Sequence, residues 1–388
     1  MKILMILESE FPPDIRVEKE IRSLIKVGHK IVLACSSPAS EDEIISWNGA
    51  TIIRKNMPRF IYKSSVGCLQ FPFYFNFWRK FLKGVFTQNK FDAIHLHDLP
   101  LAKVAKEFSL KHKISFVLDL HENWPALIAI SQHTKSFLGQ LLSSNKQWIK
   151  YEKVSIQKAD RVIVVVQEAK ERLVKLGVQE EKITIVSNTI EIADFIIPEI
   201  PINNRFTLIY AGGLNEHRGL HIALDAVKKV VTNIPCLNFL IIGEGRYRKT
   251  LEQKVQDLKL NNNVNFTGWL CFDDMLKLLS SSHVGLIPHL RNEHTDTTIP
   301  HKLFQYFAAG KPIISSDCFP MKRILLETET GLVYKNDNPN ELANAIITLF
   351  EDHDLYKRIQ QNQQQALKKY NWSQDSTHLV ALYQDIAK

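Results

Sequence analysis

The sequence predicts an α/β protein made of two doubly wound domains, each a parallel sheet with helices on both faces. Three observations predict it. Short β-branched runs alternate with longer amphipathic stretches along the chain, the pattern of parallel strands joined by crossover helices. That pattern occurs twice, divided by a strand-poor segment rich in Pro and Ile over Asp194–Arg205. The 388 residues suit two domains of ordinary size, and 45% apolar with 23% charged residues is a globular balance.

In the first set, strands are predicted over Ile3–Leu7, Ile31–Ala34, Ala93–Leu96, Phe116–Leu118 and Val162–Val166, with a helix over Val17–Val27. The second set is Thr207–Tyr210, Asn238–Ile242, Val264–Thr267, Val284–Ile287 and Pro312–Ser315, with a helix over Ile222–Val231. The expected division is a domain over 1–194, a linker over 195–205, a domain over 206–370 and a terminal segment 371–388 holding a helix over Ser376–Ile386. Ligands of such sheets bind beyond the carboxyl ends of the strands. Two facing domains therefore predict a cleft, and residues just after the strands are the candidates for its chemistry.

The five cysteines are odd in number and without CxxC spacing, which excludes a disulfide framework or a zinc-finger reading and fits a reducing compartment. The apolar run at the start stops at Leu7, too short for a signal core, and no stretch is long enough to span a bilayer. A cytoplasmic protein is expected. The net charge of +8 points to anionic partners.

Several polar groups follow the first-half strands. Asp14, Arg16 and Glu18 open the first helix; His95, His97 and Asp98 end the third strand; Asp119, His121 and Glu122 end the fourth. Arg16 is open to two readings, a phosphate or acceptor contact and a partner for a neighbouring carboxylate. His-x-His-Asp without further ligands is a weak metal signal. The Asp-x-Asp spacing of Asp352-His353-Asp354 falls between two helical patterns and reads as a solvated turn. No metal and no cofactor are expected.

From Ile44 to Phe91 there is no Asp or Glu. Within that stretch Trp78, Phe81, Leu82, Val85 and Phe86 share one helical face, and Arg79, Lys80 and Lys83 lie off it. A basic helix with a Trp/Phe face suits an anionic membrane surface; the alternative is that the face packs on the sheet. The expectation is peripheral association through Trp78, Phe81, Arg79, Lys80 and Lys83. No nucleic-acid-binding module is recognisable, and no nucleic-acid partner is expected.

In the second half, Ala211-Gly212-Gly213-Leu214-Asn215-Glu216-His217-Arg218-Gly219 joins a strand to a helix. Glycines at such a turn let backbone N–H groups approach a phosphate, and Arg218 adds a charged fork. The segment Thr297-Thr298-Ile299-Pro300-His301-Lys302-Leu303-Phe304-Gln305 opens a short helix whose first N–H groups are free for an anion. Gln305 lies one turn after Lys302, so both can face one ligand.

The run from Pro300 to Pro312 resembles the "PNKLFEYMAAGKP" signature of glycosyltransferase family 4, the retaining GT-B enzymes with two Rossmann-like domains. Other segments agree in order: Phe11–Glu20 resembles the family's first βα turn, His95–Asp98 its "HAHD", Asp119–Glu122 its "YDAHE", Ala159–Ile163 its "ADRVI", Val186–Asn188 its "VPNG" and Gly243–Gly245 its "GDGP". The resemblance covers roughly the whole chain. It implies a metal-independent transfer of a sugar from a nucleotide diphosphate sugar, UDP-sugar favoured and GDP-sugar open. The implied acceptor is a membrane-linked glycan or glycolipid of bacterial-type surface polysaccharide or lipopolysaccharide synthesis. It assigns His121 and Glu122 to the reaction centre; Arg16 and His97 are read as acceptor-side residues, with a place behind the reaction centre left open for His97. Gly212, Gly213, Arg218, Gly243, Glu244, Thr297, Thr298, Lys302 and Gln305 become the donor site, and Trp372 a packing anchor. In enzymes of this type the departing phosphate is thought to help deprotonate the acceptor. Two departures stand out. Thr297 and Gln305 occupy positions where many members have glutamates, and the family's Arg and Lys of the glycine turn become Gly213 and Arg218. Asp296 and Glu293 are alternative carboxylates for the Thr297 position. A silent GT-B scaffold and a nucleotide-sugar epimerase on the same fold stay open as alternatives.

Overall fold

The structure is a computed structural model and describes residues 1–39, 41–131, 142–198, 200 and 205–388. The chain forms two compact units, Met1–Ser187 with Ser373–Lys388, and Asn188–Trp372. The division after Ser187 precedes the segment expected as a linker, of which 199 and 201–204 lie outside the described residues.

The first unit is built on strands β1 (Lys2–Leu7), β2 (Lys30–Ser37), β3 (Glu43–Trp47), β4 (Ala50–Asn56), β5 (Ala93–His97), β6 (Ser115–Leu120), β7 (Arg161–Val164) and β8 (Ile183–Ile185). Their order in the sheet is β3-β4-β2-β1-β5-β6-β7-β8. All neighbours run parallel except β3, which pairs antiparallel with β4. The strand order reverses between β1 and β5, the place where open α/β sheets gather ligands. Near-continuous apolar runs such as Ile3–Leu7 are buried on both faces, as a helix-covered parallel sheet requires.

The edge pair β3–β4 was not expected from the sequence. Its turn is Asn48-Gly49, both with positive φ (47° and 84°), joining the paired residues Trp47 and Ala50. That is the two-residue geometry whose twist matches a hairpin.

The basic aromatic stretch forms the helix Phe73–Gln88, but its apolar face is spent inside. Trp78, Leu82 and Val85 pack in the same core cluster as Ile94, Leu96 and Phe116, with Phe81 at its margin. Trp78 is 0% exposed and Phe81 9%, so neither is available to a membrane. Covering the sheet with this face stabilises the unit by about 1.5–3 kcal/mol per large side chain. Arg79 is spent as well, its guanidinium donating to both oxygens of Glu107 at 2.7 and 2.8 Å. Lys80 and Lys83 remain exposed. Among the described residues no helix is long and apolar enough to cross a membrane.

The second unit is a six-stranded parallel sheet of β9 (Thr207–Ala211), β10 (Asn238–Ile242), β11 (Val264–Gly268), β12 (Val284–Ile287), β13 (Ile313–Ser316) and β14 (Gly331–Tyr334), in the order β11-β10-β9-β12-β13-β14. Here the order reverses between β9 and β12. The helix Trp372–Ile386 returns the chain to the first unit, where the Tyr383 hydroxyl meets His95 Nδ1 at 2.8 Å. Trp372 is 2% exposed, and its N–H donates to Ile190 O at 2.9 Å.

Candidate functional site

In the first unit, the carboxyl ends of β1, β5 and β6 bring Glu8, Asp98 and His121 to one edge of the sheet. Asp119 is the centre of a buried network beneath them. His121 Nε2 lies 2.9 Å from Asp119 Oδ2, and the Asp98 carboxylate accepts from the His121 backbone N–H at 3.2 Å. Burial works against a charge on His121, yet Asp119 and then Asp98 prevail and lift its pKa to about 9. Burial also pushes Asp119 upward, but Arg16 and His121 outweigh it and hold the carboxyl well below its ordinary range. His121 is therefore an imidazolium at neutral pH, a hydrogen-bond donor and a positive charge, and has no free lone pair to act as a base. Glu122 follows it, half-buried.

Arg16 and His97 are both buried, Arg16 in the carboxylate-pairing arrangement that was one of its two readings and His97 directly behind His121. Asp14 caps the first helix by accepting from the N–H groups of Arg16 and Val17, which turns the Arg16 side chain inward. Arg16 is 3% exposed, with Nη2 2.9 Å from Asp119, Nε 3.1 Å from Glu20 and Nη1 donating to Val186 O at 3.0 Å. Its partner is a pair of buried carboxylates. His97 is 1% exposed, and its Nδ1 lies 3.3 Å from His121 Nε2. Burial, then His95, depresses its pKa to about 3, so it stays neutral beside the charged His121. Glu20, His95, His97 and Asp119 each offer a ligand atom within 4.8 Å of the others, the spacing of a metal site. Arg16 already meets the carboxylate charge of this cluster with a guanidinium. Asp352, of the Asp-x-Asp run, caps the helix His353–Lys369 by accepting from Leu355 N at 2.8 Å.

In the second unit, the turn after β9 and the helix His301–Ala308 meet at the switch between β9 and β12. Gly212 has φ +147°, and a Cβ there would lie 2.7 Å from Lys302 Nζ. Lys302 Nζ sits 3.6 Å from the Tyr210 ring centroid, and the Tyr210 hydroxyl donates to Gly213 O at 2.9 Å. The turn after β10 backs onto the same loop. Gly243, at φ +132°, admits no Cβ because Gly212 O would be 2.1 Å away, and Leu214 N donates to Glu244 O at 2.9 Å. Gly219, at φ +66°, lets the loop after β12 close in, with Pro288 O 1.7 Å from where a Cβ would stand.

The electrostatics of this junction are one-sided. Lys302 is 7% exposed, and Arg218 Nη1 donates to His289 Nε2 at 3.2 Å. Among the described residues neither cation has a carboxylate within 4 Å, in contrast to Arg16 in the other unit. Burial and then Arg218 hold the Lys302 ammonium well below its ordinary pKa. Burial and then Arg218 likewise depress His217 to about 4 and His294 to about 3, and leave His289 well below the usual histidine range. A buried positive centre without counterions is chemically incomplete until an anion arrives. Gln305 is half-buried, and its amide has no partner among the described residues, which leaves it both donor and acceptor for a ligand hydroxyl.

Two donor-site candidates, Thr297 and Glu244, and the alternative carboxylate Asp296 are placed differently from the rest. The Thr297 hydroxyl turns back on its own loop and donates to Glu293 O at 2.6 Å. Asp296 accepts from Phe319 N at 3.1 Å and pairs with Arg291 at 3.0 Å. The Glu244 carboxylate is exposed and paired with Arg248. Thr298 is half-buried at the end of the same loop as Thr297. Sequence reasoning missed His289 and His294, because a histidine on a loop carries no signal until the fold shows what it faces. It also missed Glu20 and Tyr383, which join the His121 network through Arg16 and His95.

The family model for Glycosyl transferases group 1 matches residues 193–366, and that for Glycosyltransferase Family 4 matches 16–194. The phosphatidyl-myo-inositol mannosyltransferase of Mycolicibacterium smegmatis is 26% identical over 209 residues, 52% of this chain and 52% of the relative. The chitobiosyldiphosphodolichol beta-mannosyltransferase of Candida albicans is 26% identical over 240 residues, 57% of this chain and 52% of the relative. The chain thus spans about half the length of these curated relatives. Sucrose-phosphate synthase from Thermosynechococcus elongatus superposes with a TM-score of 0.81 at 17% identity, covering 99% of this chain and 98% of that one. Anabaena HepE in complex with UDP gives 0.71 at 17% identity, covering 99% and 100%. With the GT-B fold in place and the two family models spanning 16–366 between them, the chain belongs to the group 1, family 4 glycosyltransferases.

Proposed function

We propose that the chain transfers a sugar from a nucleotide diphosphate sugar to a glycan or lipid-linked acceptor. The observation that carries this is the pair Arg218 and Lys302, two cations with no carboxylate partner, converging on the Gly212 turn. A diphosphate supplies the missing charge. Fixed cations aimed at it stabilise the departing nucleotide as its charge develops, the task a metal ion performs elsewhere, so no essential metal is needed. The His121 imidazolium, made cationic by Asp119, is no general base. That agrees with a retaining transfer in which the leaving phosphate takes the acceptor proton. UDP is favoured as the nucleotide, in line with UDP in the Anabaena HepE structure. A lipid-linked acceptor agrees with the lipid named in the mycobacterial relative and with work at the inner face of a membrane in surface polysaccharide or lipopolysaccharide assembly.

The inward-turned Thr297 hydroxyl favours one second reading, a donor-binding scaffold without turnover. A thermal-shift screen against UDP, GDP, dTDP and ADP and their sugars, in excess EDTA, tests the first reading, because selective binding raises the native state's stability. A shift with one nucleotide family is expected, and no shift with any of them refutes it. Donor hydrolysis by the purified chain dismisses the scaffold.

A further inference from the structure

The apolar face of helix Phe73–Gln88 is buried, but a different apolar surface lies just before it. Phe60, Tyr62, Val66, Phe71 and Phe73 are 68%, 51%, 36%, 45% and 47% exposed. Three of them adjoin: the Phe73 ring centroid lies 5.9 Å from that of Phe60 and 6.3 Å from that of Phe71. The short helix Arg59–Lys63 buries none of its residues. Isolated exposed apolar residues need no explanation, whereas a contiguous patch marks a surface that something covers.

The chemistry around the patch indicates what covers it. Beside Phe71 and Pro72 is a pocket of about 200 Å³ also bordered by Arg79, Lys103 and Tyr151. Arg79 and Lys103 each stand 5.9 Å from the Phe75 ring centroid, and Glu107 takes up the Arg79 charge. Lys103 has no carboxylate partner among the described residues. Arg59 and Lys63, which flank Phe60 and Tyr62 on the short helix, are exposed, in a stretch from 44 to 91 free of acidic residues. Aromatic rings suit the boundary between headgroups and acyl chains, and cations of one sign suit anionic headgroups.

We propose that the face formed by Phe60, Tyr62, Phe71 and Phe73 docks the chain on an anionic phospholipid bilayer, with a lipid phosphate seated in the pocket at Lys103. The proposal rests on the reading of a lipid-linked acceptor and deepens it by naming the surface that reaches the lipid.

Flotation with phosphatidylcholine vesicles, with and without phosphatidylglycerol, tests it at low salt. The chain is expected to float with the phosphatidylglycerol vesicles and far less with the neutral ones. The double variant Phe60→Ser/Phe73→Ser should weaken partitioning by about tenfold or more, and Lys103→Gln by about fivefold. All three side chains are exposed, so unchanged thermal unfolding serves as the folding control. No association with phosphatidylglycerol vesicles, the result expected if an acidic protein covers the patch, overturns the proposal. So does association that the double variant leaves intact. UDP thermal shifts run in parallel separate the two readings: nucleotide binding without vesicle binding sinks only the docking surface, and vesicle binding without any nucleotide binding sinks the transferase reading.

Discussion

Lys302→Met should stabilise the ligand-free protein and weaken the donor, two effects of opposite sign from one substitution. In the free chain Lys302 is a buried ammonium with no carboxylate, 3.6 Å from the Tyr210 ring centroid. Burying an ammonium costs several kcal/mol after relaxation, and a desolvated aromatic face returns about 2 kcal/mol. The net burden is on the order of 1–3 kcal/mol. Methionine keeps the length and most of the volume while removing the charge. For a unit of this size, each kcal/mol moves the midpoint by about 2–4 °C, so the variant should melt about 2–12 °C higher without ligand. A nucleotide diphosphate at a hundred times its Kd stabilises the wild type by about 2.7 kcal/mol. Losing a charge-assisted contact costs about 1.5–3 kcal/mol of binding, which leaves the variant about 1 kcal/mol or less at the same concentration. The pH dependence has a defined sign. Because the folded pKa is depressed, the unfolded chain binds more protons, and this residue makes wild-type stability rise with pH up to the ordinary lysine value. The variant should lose that slope. Differential scanning fluorimetry with and without nucleotide reads all three quantities. A variant that melts lower and keeps the full nucleotide shift would refute the argument that Lys302 is held there for an anion.

Arg218→Ala should weaken donor binding and turnover together by about ten- to a hundredfold, read by calorimetry and initial rates; unchanged kinetics would take Arg218 out of the site. Asp119→Asn removes the charge that keeps His121 protonated. In ¹³C-histidine NMR the titration of His121 near pH 9 should drop toward or below 6.5. With the raised pKa, His121 stabilises the wild type fully below pH 6.5, and that contribution, about 3 kcal/mol at most, is lost as pH rises through 9. An unmoved titration would contradict the assignment. Gly243→Ala places a Cβ 2.1 Å from Gly212 O at a φ of +132°. The two phosphate-side turns should then separate, lowering stability by about 2 kcal/mol or more and abolishing nucleotide binding, measured in the same fluorimetry.

The alternation of strand and helix and the order of strand-end motifs were legible for the inner strands, because a helix-covered parallel sheet demands continuous apolar runs and glycine turns at fixed places, whereas the short edge strands β8 and β14 were missed along with β3 and β4. The Asn48-Gly49 hairpin was equally legible as a turn signal, but the partly polar strands beside it lie at the sheet edge and lack the apolar run that marks a central strand. The glycines of the Gly212 turn and the cations Arg218 and Lys302 could be named from local chemistry. Their lack of counterions could not, because a missing partner is a property of every element packed around a charge. The same limit explains Arg16 and Trp78. In sequence a basic residue near a strand end and a Trp on an amphipathic face each permit an inward and an outward reading with the same periodicity. Packing decided both inward: Glu20 and Asp119 claimed the arginine, and the sheet claimed the tryptophan. Local pattern sets which residues share a face. Which surface that face meets depends on residues far along the chain, 103 positions away between Arg16 and Asp119 and 288 between His95 and Tyr383, and only the folded chain brings them together.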